Sequence, residues 1–249
     1  MARFFAKLSY NGMNYVGWQF QPNGISVQQT LKESLSIILR DDVEIVGAGR
    51  TDAGVHALNM VAHFDWNGNP FIAEDLVYKI NNFLPKDISI ISIRKVIPDA
   101  HARFDAVSRT YRYYITTRKN PFLHEFTYKL NYVPDIDKMN ELSAELLNFS
   151  DFTSFSKSHT DVKTNNCKIS FAKWEKKDDL YVFTITADRF LRNMIRAIVG
   201  TLLEGGRGRL DTRGIRRIIE AKNRQTAGDS VPGHALFLEE IIYPDNIWI

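Results

Sequence analysis

The chain has 249 residues, 44% hydrophobic and 12% aromatic, enough for one large core or two small ones. Its formal net charge is only +3, and its single cysteine, Cys167, excludes an internal disulfide framework and any multi-cysteine zinc site. No window holds the ~18 uncharged apolar residues of a membrane span, and the start, MARFFAKLSY, has no signal-peptide core, so a reducing, cytoplasmic setting is expected.

Residues 2–10 alternate, with Phe4, Ala6, Leu8 and Tyr10 on one side and Arg3, Lys7 and Ser9 on the other, which predicts a half-buried strand. SVQQTLKESLSIILR follows as a helix. Ser26 and Gln29 have capping-box spacing, and Val27, Leu31, Leu35 and Ile38 share a face. DVEIVGAG and ALNMVAHFDW read as strands joined by a glycine-rich loop, AEDLVYKINNFLP as a helix stopped by Pro85, and DISIISIRKVI as a strand. The order β-α-β-β-α-β is the ferredoxin-like pattern. The second half nearly repeats it. VSRTYRYYITT is a strand, DKMNELSAELLN a helix, and residues 168–187 a hairpin turning near residues 177–179. RFLRNMIRAIVGTLLEGG and RGIRRIIEAK are helices, and ALFLEEIIY a closing strand.

The expected fold is therefore α+β. Two ferredoxin-like subdomains stand side by side, forming a mainly antiparallel sheet with flanking helices and a central cleft. The boundary falls near residues 99–106, giving subdomains 1–103 and 104–249.

Charge is unevenly spread. Residues 101–120 hold five Arg or Lys and one acid, and residues 188–217 hold eight arginines and three acids. Such clusters are either solvated faces or phosphate contacts, for which arginine is the better fork. The loop GAGRTDAGVHA, residues 47–57, fits neither a P-loop, since Val55 follows the last glycine, nor a Rossmann fingerprint, since strands flank it. A plain strand connection built from turn formers is one reading. The other is chemical. Arg50 and Asp52 fall on the same side of an extended backbone, where the guanidinium could keep the carboxylate ionised. A carboxylate among glycines is open to a bulky planar substrate, as a nucleophile or base must be.

AGRTDAGVHA resembles the signature of the tRNA pseudouridine synthase A family residue for residue. Further blocks follow in the family's order along nearly the whole chain: YNGMNYVGWQFQPNGISVQ, HARFDAVSRTYRYYI, DFTSFSK and FLRNMIRAIVG. The resemblance implies isomerisation of uridine to pseudouridine at positions 38 to 40 of tRNA. In that reaction the N1–C1′ bond breaks, the uracil turns while held, and C5 bonds to C1′. It implies no cofactor and no metal, tRNA as partner, and a homodimer.

By the same resemblance Asp52 is the essential carboxylate, which attacks the nucleoside or stabilises positive charge at C1′. Tyr111 lies against the uracil, and Arg50 supports the flipped nucleotide, whose extrusion costs a few kcal/mol. Arg196 is the basic residue of the third motif. A helix over residues 189–206 would line up Arg189, Arg192 and Arg196 and run on into Val199 and Leu203, so Arg196 would sit where the wet face becomes buried and would want a partner, with Asp52 the candidate. His101, Arg103, His159 and Lys163 match segments that touch RNA. Tyr113 and Tyr114 read as sheet aromatics, Trp18 and Met194 as core, and His56 as a packing residue.

Two other classes compete. A non-catalytic RNA-binding module would share the fold but has no use for Asp52. An N-glycoside hydrolase would need a second carboxylate as general acid, and the loop supplies none.

Overall fold

The computed structural model describes residues 2–157 and 164–249. The chain divides into two compact units, Met1–Val107 with Leu238–Ile249, and Ser108–Phe237. Both are α+β, with mainly antiparallel strand pairing.

In the first unit the strands are β1 (Ala2–Tyr10), β2 (Ile45–Gly47), β3 (His56–Trp66) and β4 (Ile88–Val96), and the helices α1 (Val27–Leu39) and α2 (Ala73–Phe83). β1 lies between β3 and β4, antiparallel to both, and β2 pairs antiparallel with β3. The helices cover one face. Leu31, Leu35 and Ile80 meet Ala6, Ile45, Ala62, Phe64, Ile90 and Ile93 there in one apolar core. Ser26 caps α1 by accepting from Gln29 N at 3.2 Å, but the Gln29 side chain turns to Glu33, so only half of the capping box forms. The opposite face is covered as well. Phe5, a strand position facing away from the helices, is 2% exposed, with its ring edge-on to Tyr243 at 5.1 Å and Trp248 at 5.8 Å. Residues 238–249 supply that cover, tied by Ile97 N to Ile247 O and Ile249 N to Lys95 O.

In the second unit β5 (Ser108–Thr116) has a short parallel partner, β6 (Tyr128–Lys129). After α3 (Ile136–Glu145) come β7 (Ile169–Lys177) and β8 (Leu180–Ala187), with β8 antiparallel to both β7 and β5. Asn140 brackets the backbone of Trp174, accepting from its N at 2.8 Å and donating to its O at 3.0 Å, so α3 is pinned to β7. α4 (Met194–Gly206) is buried nearly all round, as expected of a helix apolar on every side, and packs on α3. α5 (Thr212–Glu220) follows, and β9 (Leu236–Ile242) carries the chain back to the first unit. Among the described residues, no helix is long and apolar enough to cross a membrane.

α4 starts five residues later than its apolar periodicity predicts. Asn193 takes a left-handed conformation (φ 64°), and Met194 opens the helix. Arg189 and Arg192 therefore precede the helix, and the expected arginine stripe does not exist.

Candidate active site

The loop between β2 and β3 is held from both ends and from beneath. Ala48 N donates to Val61 O at 2.8 Å. Thr51 is buried, and its Oγ1 hydrogen-bonds the Tyr10 hydroxyl at 2.9 Å. His56, 1% exposed, accepts from Gly12 N at 3.1 Å through Nδ1, a packing and hydrogen-bonding role. The residue before Trp18 completes the frame. Gly17 forms an antiparallel bridge with Asp52, and Trp18 N donates to Thr51 O at 3.1 Å. On its other side the same pair receives the start of α1, through Val27 N to Gly17 O and Gln28 N to Trp18 O. Asp52 thus sits on a rigid strap, half-buried, with Val55 N closing a turn on Asp52 O. A carboxylate whose backbone is fixed on two sides is preorganised for chemistry on a docked substrate.

Gly17 is the part of this frame that the motif reading passes over. Its φ is +115°, and a Cβ there would lie 2.5 Å from Thr51 O. Two bulky aromatics, Tyr15 and Trp18, buried on either side of a glycine were the available signal. Arg50 and Asp52 both lie opposite buried Thr51, as alternation requires. The expected ion pair between them does not form: Arg50 extends into solvent. Holding an exposed arginine in one geometry costs side-chain entropy that a surface pair barely returns.

At the end of the first unit, residues 101–105 make a tight turn. Asp105 Oδ2 accepts from His101 N at 2.7 Å, and His63 Nδ1 from Ala102 N at 3.2 Å. His101 Nδ1 accepts from Arg103 N at 3.1 Å and Phe104 N at 3.4 Å. Arg103 is exposed and His101 half-buried. Both imidazoles act as acceptors at Nδ1, which requires that nitrogen to be unprotonated.

Burial, then the Arg3 guanidinium, pushes the His63 pKa down to about 4, and the same causes lower His101. Asp65 and Asp105 pull His63 the other way more weakly. Arg3 in turn holds the Asp65 carboxyl below its ordinary range by a bidentate pair at 2.7 and 2.8 Å. An unfolded histidine binds its proton near pH ~6.5. The unfolded chain therefore gains protons first as pH falls, and stability drops between there and about pH 4. We expect the urea midpoint to decline across that window, and less steeply in His63→Asn, whose amide oxygen still accepts from Ala102. Parallel declines would show that His63 is not the group responsible.

In the second unit Tyr111 lies on β5 opposite Ile185, half-buried, with its ring edge-on to Phe190 at 5.3 Å. Tyr113 is fully buried, donates to Pro232 O at 2.9 Å, and has its pKa raised by that burial, a structural role. Tyr114 packs edge-on to Phe237 at 5.2 Å. Arg196, in the first turn of α4, is half-buried, and its Nε donates to Val231 O at 2.7 Å while its own O accepts from Val231 N at 3.2 Å. The strap carrying Val231 lies flat on α4 at Gly200, where any Cβ would run into Asp229 O. Asn193 Nδ2 and Arg224 Nη2 both donate to Ser230 Oγ, at 2.6 and 2.9 Å. The strap at Ser230 and Val231 thus holds both the left-handed turn at Asn193 and the Arg196 guanidinium. Arg192 is exposed, and its O accepts from Lys157 N at 3.1 Å. His159 and Lys163 lie outside the described residues.

Trp18 and Met194 are both core, at 2% and 0% exposed. Among the described residues, no three His, Cys, Asp or Glu side chains gather into a group that would hold a metal ion.

A sequence profile of a family described as "tRNA pseudouridine synthase" matches residues 145–244. Full-length similarity extends further. The chain is 60% identical to "tRNA pseudouridine synthase A" of Parabacteroides distasonis, covering 100% of this chain and 98% of that protein. It is 57% identical to the protein of the same name from Bacteroides fragilis, over 99% and 98% of the two chains. For the one from Bacillus subtilis the figure is 36%, over 98% and 100%.

Proposed function

The chain belongs to the tRNA pseudouridine synthase A family, and we propose on that premise that it isomerises uridine to pseudouridine at positions 38, 39 and 40 of the tRNA anticodon stem-loop. The observation that carries this reading is the end-to-end similarity, joined to an intact loop that fixes the Asp52 backbone from both sides. The target uridine is turned out of its stack, at a cost of a few kcal/mol. Arg50, exposed and unpaired with Asp52, grips the displaced backbone. Asp52 acts as an anion on the nucleoside while N1–C1′ breaks. Tyr111 lies against the uracil as it turns, C5 bonds to C1′, and the C5 proton leaves as N1 gains one. Arg196 supplies positive charge to the reaction. No redox step occurs, so the chemistry calls for no cofactor.

His101, Arg103, His159 and Lys163 serve as RNA contacts. The enzyme works as a homodimer in the cytoplasm, with one tRNA spanning both subunits. The test is release of the C5 proton from uridine-labelled tRNA, together with a map of pseudouridines in tRNA from cells with and without the protein. Absence of change at positions 38 to 40 would leave a binding module, and free uracil as product would point to a hydrolase.

RNA contact by arginines has a salt signature. With about four phosphate contacts, affinity for tRNA should fall about a hundredfold between ~50 and ~200 mM salt, and Arg103→Ala should lower the log–log slope by about 1. A flat profile in filter binding would remove the basic segments from the interface.

A further inference from the structure

We propose that Phe104 is a stacking platform for an unpaired base of the tRNA anticodon arm, a proposal that rests on the function above. Single exposed apolar residues are ordinary, and 73% exposure of Phe104 is by itself no argument. What distinguishes this ring is how firmly it is held. It leans tilted against the His101 ring at 4.3 Å, His101 meets His63 edge-on at 4.7 Å, and His63 stacks on Phe5 at 6.2 Å. Phe5 is buried and wedged by Tyr243 and Trp248. A column of rings thus rises from the core of the first unit and ends in solvent at Phe104.

The backbone beneath is equally fixed, since the N–H groups of His101, Ala102, Arg103 and Phe104 all donate to side-chain acceptors within the turn or from β3. The Tyr243 hydroxyl adds a bond to Ala102 O at 2.5 Å. A merely tolerated surface phenylalanine does not need an ordered support of this kind. The ordering cost of a binding surface is already met here.

Charge selects the partner. The Arg103 guanidinium lies 5.6 Å from the Phe104 ring centroid. The one acid of the turn, Asp105, points its carboxylate inward at His101 N. An aromatic face beside a cation suits a planar base joined to a phosphate.

The experiment compares binding of an anticodon stem-loop hairpin and of the same stem as a blunt duplex, by fluorescence anisotropy. Phe104→Leu keeps apolar bulk and removes the π face. It should weaken hairpin binding about tenfold, or ~1.4 kcal/mol, and leave duplex binding unchanged, while Phe104→Trp restores the hairpin affinity. Unchanged hairpin binding in Phe104→Leu, an equal loss on both RNAs, or no restoration by tryptophan would each overturn the proposal. Release of the C5 proton by the unaltered enzyme is scored separately. Its failure would count against the isomerase reading, while the hairpin–duplex comparison still decides the stacking.

Discussion

Replacing Asp52 by asparagine is expected to cut pseudouridine formation by at least about a thousandfold, the scale on which a charge opposing transition-state charge acts. Affinity for tRNA should stay near that of the unaltered enzyme. The substitution is nearly isosteric, and it leaves in place the backbone interactions of Asp52 with Gly17 and Val55 that seat the loop. The fold should therefore survive, and a uracil-binding or phosphate-binding role for this residue would show itself as lost affinity. Only an anion is removed. Single-turnover release of the C5 proton, measured beside filter binding of the same tRNA, separates the two. Retained turnover would refute the central role of the carboxylate. Weakened binding in step with lost turnover would make Asp52 a substrate contact and nothing more.

Much of the fold was legible because its elements obey local rules. Ile80 and Leu76 stand one turn apart on α2 and are buried, and Pro85 ends that helix where expected. The alternation of β8 likewise follows from its residues. The failures have tertiary causes. Nothing local distinguishes Asn193 from the next residue of a helix; its left-handed turn depends on Ser230, thirty-seven positions away in sequence. Phe5 was invisible as core because its cover, Tyr243 and Trp248, arrives from the far end of the chain. β6 is two residues long and carries no periodicity. At the candidate site the residue types of the Asp52 loop left a plain turn and a catalytic carboxylate both open, and the family resemblance chose between them. The frame of that loop left only a faint trace, a glycine flanked by the bulky aromatics Tyr15 and Trp18, because the close approach of Gly17 to Thr51 is a tertiary contact. The expected Arg50–Asp52 pair shows the reverse limit: spacing put the two side chains on one side without joining them.

That frame gives the second large effect. Gly17→Ala should lower kcat for pseudouridine formation about a hundredfold, the cost of displacing a reacting group by ~1 Å. Two penalties act together. At φ +115° an L side chain is strained wherever it points, and the new methyl would meet Thr51 O at 2.5 Å and Asp52 C at 3.2 Å. The only relief is for the Thr51–Asp52 backbone to move off Gly17, which breaks the bridge and the Trp18 N–Thr51 O bond that aim the carboxylate. Because α1 hangs on the same two residues through Val27 and Gln28, the melting temperature should fall as well. Gly49→Ala is the control. It lies in the same loop, and a Cβ there meets nothing within 4 Å. Its kcat should stay near that of the unaltered enzyme, and its melting temperature should hold or rise slightly, as removal of glycine freedom from the unfolded chain predicts. If both alanines were equally harmless, the bridge would not be what positions Asp52. If both were equally damaging, the loop would have to move as a whole during turnover, and its value would lie in flexibility rather than in a fixed aim.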